Sequence, residues 1–308
     1  MLYESIWLPF DQMPQEEYWL IVVIVLLSSL MIGSFLNVVI YRLPIMLKRQ
    51  WQSDAEWMLA EIQEDDPSAY SGVTFKKEPP QGKFNLAYPA SSCPSCHAKI
   101  KIWQNIPIVS FLLLKGQCGN CQAKIGSRYP LVELLTLMVA GVVLWQSTSL
   151  LPALLLLFLS FVFICLIFID ADHQLLPDQL VLPVLWLGLI INSQQVFVLL
   201  PEALAGAVAG YLSLWSVYWL FKLATGKEGM GYGDFKLFAL VGAWFGWQIL
   251  IPVIIFSSFV GAVWGIAFIV FKGRDSQQPM AFGPFIAIAA WLCVMFPSVF
   301  NLGWFNLV

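Results

Sequence analysis

The sequence predicts an all-α polytopic membrane protein: about eight transmembrane helices, with one polar cytoplasmic domain carrying paired cysteines between the first and the second. Three observations predict it. Only 11% of the 308 residues are charged and 59% are hydrophobic, against roughly a quarter charged in soluble domains. Apolar runs of the ~20 residues that a bilayer-crossing helix needs recur along the chain. One long polar stretch, about 44–128, interrupts them.

The first apolar run, "YWLIVVIVLLSSLMIGSFLNVVIYRLP", follows an acidic segment and has no basic residue ahead of it. Its apolar part is also long, so it is read as a retained transmembrane helix rather than a signal peptide. The spans fall at about 18–41, 130–147, 152–169, 180–199, 203–222, 235–250, 252–271 and 283–300, the shortest being the one after Asp234. No internal repeat is evident. Three parts follow: 1–43, an N-terminal tail and first helix; 44–128, the cytoplasmic domain; and 129–308, a seven-helix unit. Within the polar stretch, residues 54–64 are expected as a short helix and the rest as loop.

Orientation follows from lysine and arginine, which collect on the cytoplasmic side. Eleven of the 16 lie in 42–128: Arg42, Lys48, Arg49, Lys76, Lys77, Lys83, Lys99, Lys101, Lys115, Lys124 and Arg128. The N-terminal tail has only Glu4, Asp11, Glu16 and Glu17 and is placed outside. Eight alternating spans then put 170–179, 223–234 and 272–282 in the cytoplasm. The last two contain Lys227 and the pair Lys272 and Arg274, whereas the external loops near 148–151 and 200–202 have no lysine or arginine. In a bacterial cell the membrane is the inner one, with the N-terminus periplasmic. The net charge of −3 says little about partners, because the charges are unevenly placed; no nucleic-acid partner is expected.

The polar domain contains "CPSC" (Cys93, Cys96), then 21 residues, then "CGNC" (Cys118, Cys121). Each Cys-x-x-Cys lets two thiolates reach one ion from a tight turn, and two such pairs complete a tetrahedral zinc site. The cytoplasm is reducing, which disfavours structural disulfides; a redox pair or four unrelated thiols are the other readings. Four thiolates close the coordination shell, so the zinc is expected to be structural, with His97 outside it. The intervening "NIPIVSFLLLKG" is read as a hairpin-like or interfacial segment. Cys165 and Cys293 lie in apolar spans and are read as small buried hydrophobes.

Acidic groups at membrane depth are costly and point to function. In "FIDADHQLLPD" an apolar run ends directly in Asp170, followed by Asp172, His173 and Asp178. In "GMGYGDFKL" Asp234 opens its own span. The topology puts Asp170 and Asp234 at the same boundary, though 64 residues separate them in sequence. Paired aspartates cannot both ionise cheaply, so one serves as base toward water and the other as acid toward a carbonyl. That is the chemistry of peptide hydrolysis without a covalent intermediate. Gly231 and Gly233 are read as giving the backbone freedom to break helix geometry and to admit a substrate strand. The competing readings are a helix N-cap for Asp234, and a solvated helix-end carboxylate or His173 partner for Asp170. Asp172 and Asp178 are read as solvent or turn residues, Glu133 as a partner of Arg128, and Lys236 as a carboxylate partner or interfacial anchor.

At these residues the chain resembles a known family. "GSFLNVVIYRLP", "CPSC…CGNC", "IGSRYPLVELL", "DADHQLLPD" and "GMGYGDFKL" occur in the order found in type IV prepilin peptidases, the prepilin leader peptidase/N-methyltransferases, and the match covers nearly the whole chain. The resemblance implies a GxGD-type aspartic protease of the bacterial inner membrane, with Asp170 and Asp234 as its catalytic pair. It implies cleavage of a basic leader from type IV prepilins on the cytoplasmic side, with type II secretion pseudopilins as further substrates. It also implies methylation of the new N-terminal residue from S-adenosylmethionine, associated with the cysteine domain; Gly116 matches a glycine linked to that step. No dinucleotide-type glycine-rich loop marks a methyl-donor site. A basic leader meeting a basic domain calls for acids, and 61–68, Asp172 and Asp178 are the candidates. Three other readings compete: a proton-coupled transporter, disfavoured because carriers bind at the midplane; a zinc metalloprotease, which lacks His-Glu-x-x-His; and a peptidase without methyltransferase activity.

Overall fold

The computed structural model describes residues 9–65, 83–272 and 280–300. Part of the acidic stretch 61–68 and all of Arg274 lie outside the described residues. The described chain is all helical, without strands. Each of the eight expected spans falls on one helix. The helices are α1 (Gln15–Asp65), α2 (Val109–Leu113), α3 (Arg128–Gln146), α4 (Leu150–His173), α5 (Asp178–Asn192), α6 (Leu200–Thr225), α7 (Tyr232–Phe245), α8 (Leu250–Lys272) and α9 (Gly283–Met295). By length and composition α1, α3, α4, α6 and α8 can cross a membrane, while α5 and α9 are shorter apolar helices. The shortest of the eight is α9, not the helix after Asp234.

α1 departs most from expectation. It continues through Pro44 without a break and absorbs the expected loop and the expected short helix at 54–64. At ~1.5 Å per residue it is about 75 Å long. Proline inside a helix costs ~3 kcal/mol. Here Leu43 and Leu47 on either side of Pro44 are both buried, and 45–65 contains no glycine or second proline to stop the helix. Buried Arg42 then ties the returning chain to α1. Its guanidinium donates to the carbonyls of Asn85 (2.9 Å) and Pro89 (2.6 Å), and both Arg42 and Arg49 lie over the Phe84 ring.

α7 is the centre of the membrane unit. From Asp234 to Phe245 only Lys236 escapes full burial, because α6, α5, α9 and α8 pack around it. Its closest neighbour is α6. A Cβ on either Gly206 or Gly242 would lie inside van der Waals contact with the other's backbone, so the two helices cross backbone to backbone, as small residues allow in membranes. Buried Asn192 satisfies the far end of α7. Its amide donates to the carbonyls of Ala243 (3.0 Å) and Trp244 (2.9 Å) and accepts from the backbone of Phe197 and Val198. This also explains why α5 stops at residue 192, short of the expected 199.

Candidate active site and metal centre

Three helix ends meet at the aspartates. α4 ends just beyond Asp170: Gln174 turns left-handed (φ 51°, ψ 45°) and its N–H bonds the Asp170 carbonyl at 2.8 Å. α7 begins two residues before Asp234, and α9 begins at Gly283. Asp170 is 5% and Asp234 6% exposed, and the two carboxylates are near enough to interact through space. Helix N-termini present backbone N–H groups and a positive dipole end to anionic groups. Those of α7 and α9 both do so here: Gly231 N–H faces the Asp234 carboxylate and Gly283 N–H faces that of Asp170. Asp234 is therefore not the N-cap of its helix, a place held by Gly231. Oδ2 of Asp170 is buried without a hydrogen-bond partner among the described residues. Buried polar atoms are rarely left so, and this one is free to receive a water or a substrate carbonyl.

Gly233 acts by letting a neighbour approach, not by flexibility, whereas a Cβ on Gly231 would meet nothing nearer than Asp234 Oδ2 at 3.8 Å. Gly231 has ordinary extended angles (φ −81°, ψ 149°) and Gly233 is helical. A Cβ on Gly233 would come within 2.8 Å of the Leu176 Cβ. A Cβ on Gly283 would lie 2.6 Å from Asp170 Oδ2 and 3.1 Å from Leu176 Cδ1. Leu176, in the loop that leaves α4, is thus a wedge between the glycine beside one aspartate and the glycine that touches the other.

Of the other charged groups, Lys236 pairs with a carboxylate as expected and Arg128 pairs differently. Arg128 forms its ion pair with Asp172, not Glu133, and its guanidinium lies over the Phe168 ring, 4.8 Å from the centroid. Lys236 holds Asp178 at 2.7 Å. Asp172 and Asp178 face solvent, with side chains 41% and 53% exposed, and each is also paired with a cation of this chain. Both arginine and lysine come from helices far away in sequence, which local reading does not reveal. Glu133 is buried and accepts the N–H of Ile108 at 2.8 Å. The loop before Asp234 is anchored by Lys222, which donates to Glu228 at 2.8 Å and holds that carboxyl below the ordinary glutamate range. Leu176 and Gly283 are the site residues missed in sequence, where Arg128 is read as the partner of Glu133. For Gly283 the signal was present: Gly-Pro opening an apolar run marks a helix start, at the boundary already assigned to Asp234.

The cysteines form a second centre. The Sγ atoms of Cys93, Cys96, Cys118 and Cys121 all lie within 4.8 Å of one another, with Cys93–Cys121 at 3.8 Å and Cys96–Cys118 at 4.0 Å. Tetrahedral zinc with bonds of ~2.3 Å requires sulfurs about 3.8 Å apart, so the set fits that ion. The two knuckles are built alike. Cys93 N–H bonds Ala98 O and Cys118 N–H bonds Ala123 O, while His97 and Gln122 follow in matching left-handed conformations (φ 57° each). His97 thus has a backbone role that glutamine fills in the other knuckle. Backbone N–H groups hold the Cys93, Cys96 and Cys118 thiols below their ordinary range, whereas the neighbouring thiols push Cys121 up to about 11. Of the two readings of the segment between the knuckles, hairpin-like or interfacial, the hairpin one is not met: it is a 3-10 turn at Ile102–Asn105 followed by α2. Gly116 closes α2 at φ 69°, against the Phe111 ring.

Residues 27–147 match the bacterial peptidase A24 N-terminal domain, and residues 156–266 match the type IV leader peptidase family. The chain belongs to the type IV leader peptidase family. Among curated relatives, the prepilin leader peptidase/N-methyltransferase of Pseudomonas aeruginosa is 50% identical over 270 residues, 88% of each chain. Those of Stutzerimonas stutzeri (51%, covering 88% of this chain and 89% of the relative) and Neisseria gonorrhoeae (49%, covering 86% of each) carry the same name. No solved structure matches. The match to the peptidase A24 N-terminal domain contains all four cysteines, and the match to the leader peptidase family contains both aspartates but ends before Gly283.

Proposed function

We propose that this chain is a bifunctional inner-membrane enzyme that cuts the basic leader from type IV prepilins and then N-methylates the exposed N-terminal residue. Both activities stand in the names of relatives that are about half identical over most of the chain. Pseudopilins of type II secretion are included among its substrates. The catalytic assignment is our own reading: Asp170 and Asp234 form the hydrolytic pair. The observation that carries it is their common burial at the meeting of three helix ends, with Asp170 Oδ2 lacking a partner.

In this reading the pair holds one proton, because two adjacent buried carboxylates cannot both ionise. The ionised member takes a proton from water as the water oxygen bonds the scissile carbonyl carbon. The protonated member gives its proton to the carbonyl oxygen. Collapse breaks the C–N bond, the amine nitrogen gains a proton, and a carboxyl remains on the leader. Gly283 N–H, Gly231 N–H and the Leu176 wedge keep the two carboxylates in place. The freed amine then accepts a methyl group, for which S-adenosylmethionine is the donor. We divide the chain into 1–43, the zinc domain 44–128 and the peptidase unit 129–308; the two family matches, 27–147 and 156–266, part instead between α3 and α4. The unbroken α1 joins the first part to the second. Zinc is assigned to the four cysteines as a structural ion. The lysine and arginine distribution supports a periplasmic N-terminus and cytoplasmic aspartates.

Purified protein, a full-length prepilin and isotopically labelled methyl donor, read by mass spectrometry, test the proposal. Loss of the leader and gain of one labelled methyl group at the new N-terminus are expected. An intact prepilin, or cleavage at a site within the mature pilin, contradicts it.

A further inference from the structure

The segment between the cysteine knuckles has an unpartnered apolar face. Ile102 to Leu114 reads "IWQNIPIVSFLLL", thirteen residues (102–114) without a charge, bracketed by Lys101 and Lys115. An uncharged run of ~10–14 residues is too short to span; it is a buried core helix or an interfacial segment. It is not buried. Trp103, Ile106, Val109, Leu112 and Leu113 are between 45% and 70% exposed. On α2, Val109, Leu112 and Leu113 fall at i, i+3 and i+4 and make one stripe, with Ile106 exposed just ahead of it. The opposite side is occupied: Phe111 meets Gly116, and Leu114 meets Gly119 of the second knuckle.

Two further observations identify what covers the stripe. The segment is fastened to a membrane helix, since Ile108 N–H donates to buried Glu133 in the second turn of α3. Ile108 is β-branched yet sits at φ 59°, a conformation such residues rarely adopt without outside support. The stripe therefore starts at the level where α3 enters the bilayer, the depth at which Leu131 and Leu134 of α3 are also exposed. Exposed lysines flank it at 99, 101, 115 and 124, suited to anionic headgroups, and Trp103 supplies the aromatic type favoured at that depth.

We propose that this stripe docks on the surface of the bilayer, with Ile106, Val109, Leu112 and Leu113 seated among the upper acyl chains and the flanking lysines at the headgroups. The metal-binding knuckles are then held flat against the membrane face on which the aspartates open. The proposal depends neither on the peptidase reading nor on the identity of the metal.

The test places a photoreactive benzophenone amino acid at single positions of the full chain, in nanodiscs of phosphatidylethanolamine and phosphatidylglycerol, with adducts read by mass spectrometry. Ile251, exposed on α8, serves as the lipid-facing reference, and Gln122, exposed on a knuckle, as the solvent reference. The expected result is lipid adducts at position 112 at a yield within a few-fold of position 251, and none at 122. Adducts at 112 to protein alone, whether a second copy or another chain, overturn the proposal, as does absence of lipid adducts at 112 while 251 captures lipid. The substitution at 112 is on an exposed side chain, and the metal content of each labelled protein, against the unlabelled chain, checks that the knuckles remain folded.

Discussion

At the residue scale the account rests on two carboxylates and the backbone that holds them. Asp170→Asn removes a group that must exchange a proton at every turnover, so prepilin cleavage is expected to fall by about 10²–10⁴-fold. The protein's melting temperature should be unchanged or higher, because a buried carboxyl is replaced by a neutral amide. Gly283→Ala makes a sharper prediction. The added methyl meets Asp170 Oδ2 and the Leu176 wedge, and an ångström of displacement at a reacting group costs about 10²-fold. Cleavage kinetics should show the loss chiefly in kcat, with KM near wild type, since a residue 283 methyl alters the aspartate and not the substrate's helix. An unaltered kcat would show that the N-terminus of α9 does not position Asp170. Both aspartates were legible in sequence because apolar runs ending in a carboxylate are conspicuous. Leu176 and the pairing of Arg128 with Asp172 were not, because they depend on contacts between the α4–α5 loop, α9, α3 and α4 that no local pattern encodes, and Gly283 showed only as a helix start.

At the element scale, α7 is short, central and nearly inaccessible, and its fit against α6 depends on a glycine pair. Gly206→Leu should force the helices apart and destabilise the protein by about 1–3 kcal/mol or more, seen as a lower melting temperature in detergent with the metal content retained. The metal domain should respond to the opposite treatment. Chelation, or Cys93→Ser, should release zinc and expose the knuckles to proteolysis around 93–121 while cleavage of prepilin persists. Acidification should do the same, because thiolates must be deprotonated to bind. Zinc retained by Cys93→Ser at wild-type stoichiometry would contradict the four-cysteine site. The spacing of the cysteines made this centre readable in advance. The long α1 was not, since Pro44 and a charged stretch look like a stop signal, and only the burial of Leu43 and Leu47 carries the helix through.

At the scale of the whole molecule, hydropathy located the eight helices but could not say which are peripheral. α7 and α5 have similar apolar character, yet α7 is enclosed and α5 stands outside it with Trp186 and Ile190 exposed. Pairing of charges was likewise a property of the assembled bundle: Arg128 with Asp172 and Lys236 with Asp178 tie α3 to α4 and α7 to α5. The resulting molecule separates a membrane unit containing the aspartates from a cysteine-bearing insert fastened to it through Arg42 and Glu133. The central claim is that these are two chemical centres in one chain. The direct measurement is cleavage and methylation by Asp234→Asn, with intact prepilin and with pre-cleaved pilin as separate substrates and labelled methyl donor. The account predicts no cleavage of prepilin and near wild-type methylation of pre-cleaved pilin. Normal cleavage by this variant would contradict the paired-aspartate site, and loss of both activities in a folded protein would contradict the separation of the two centres.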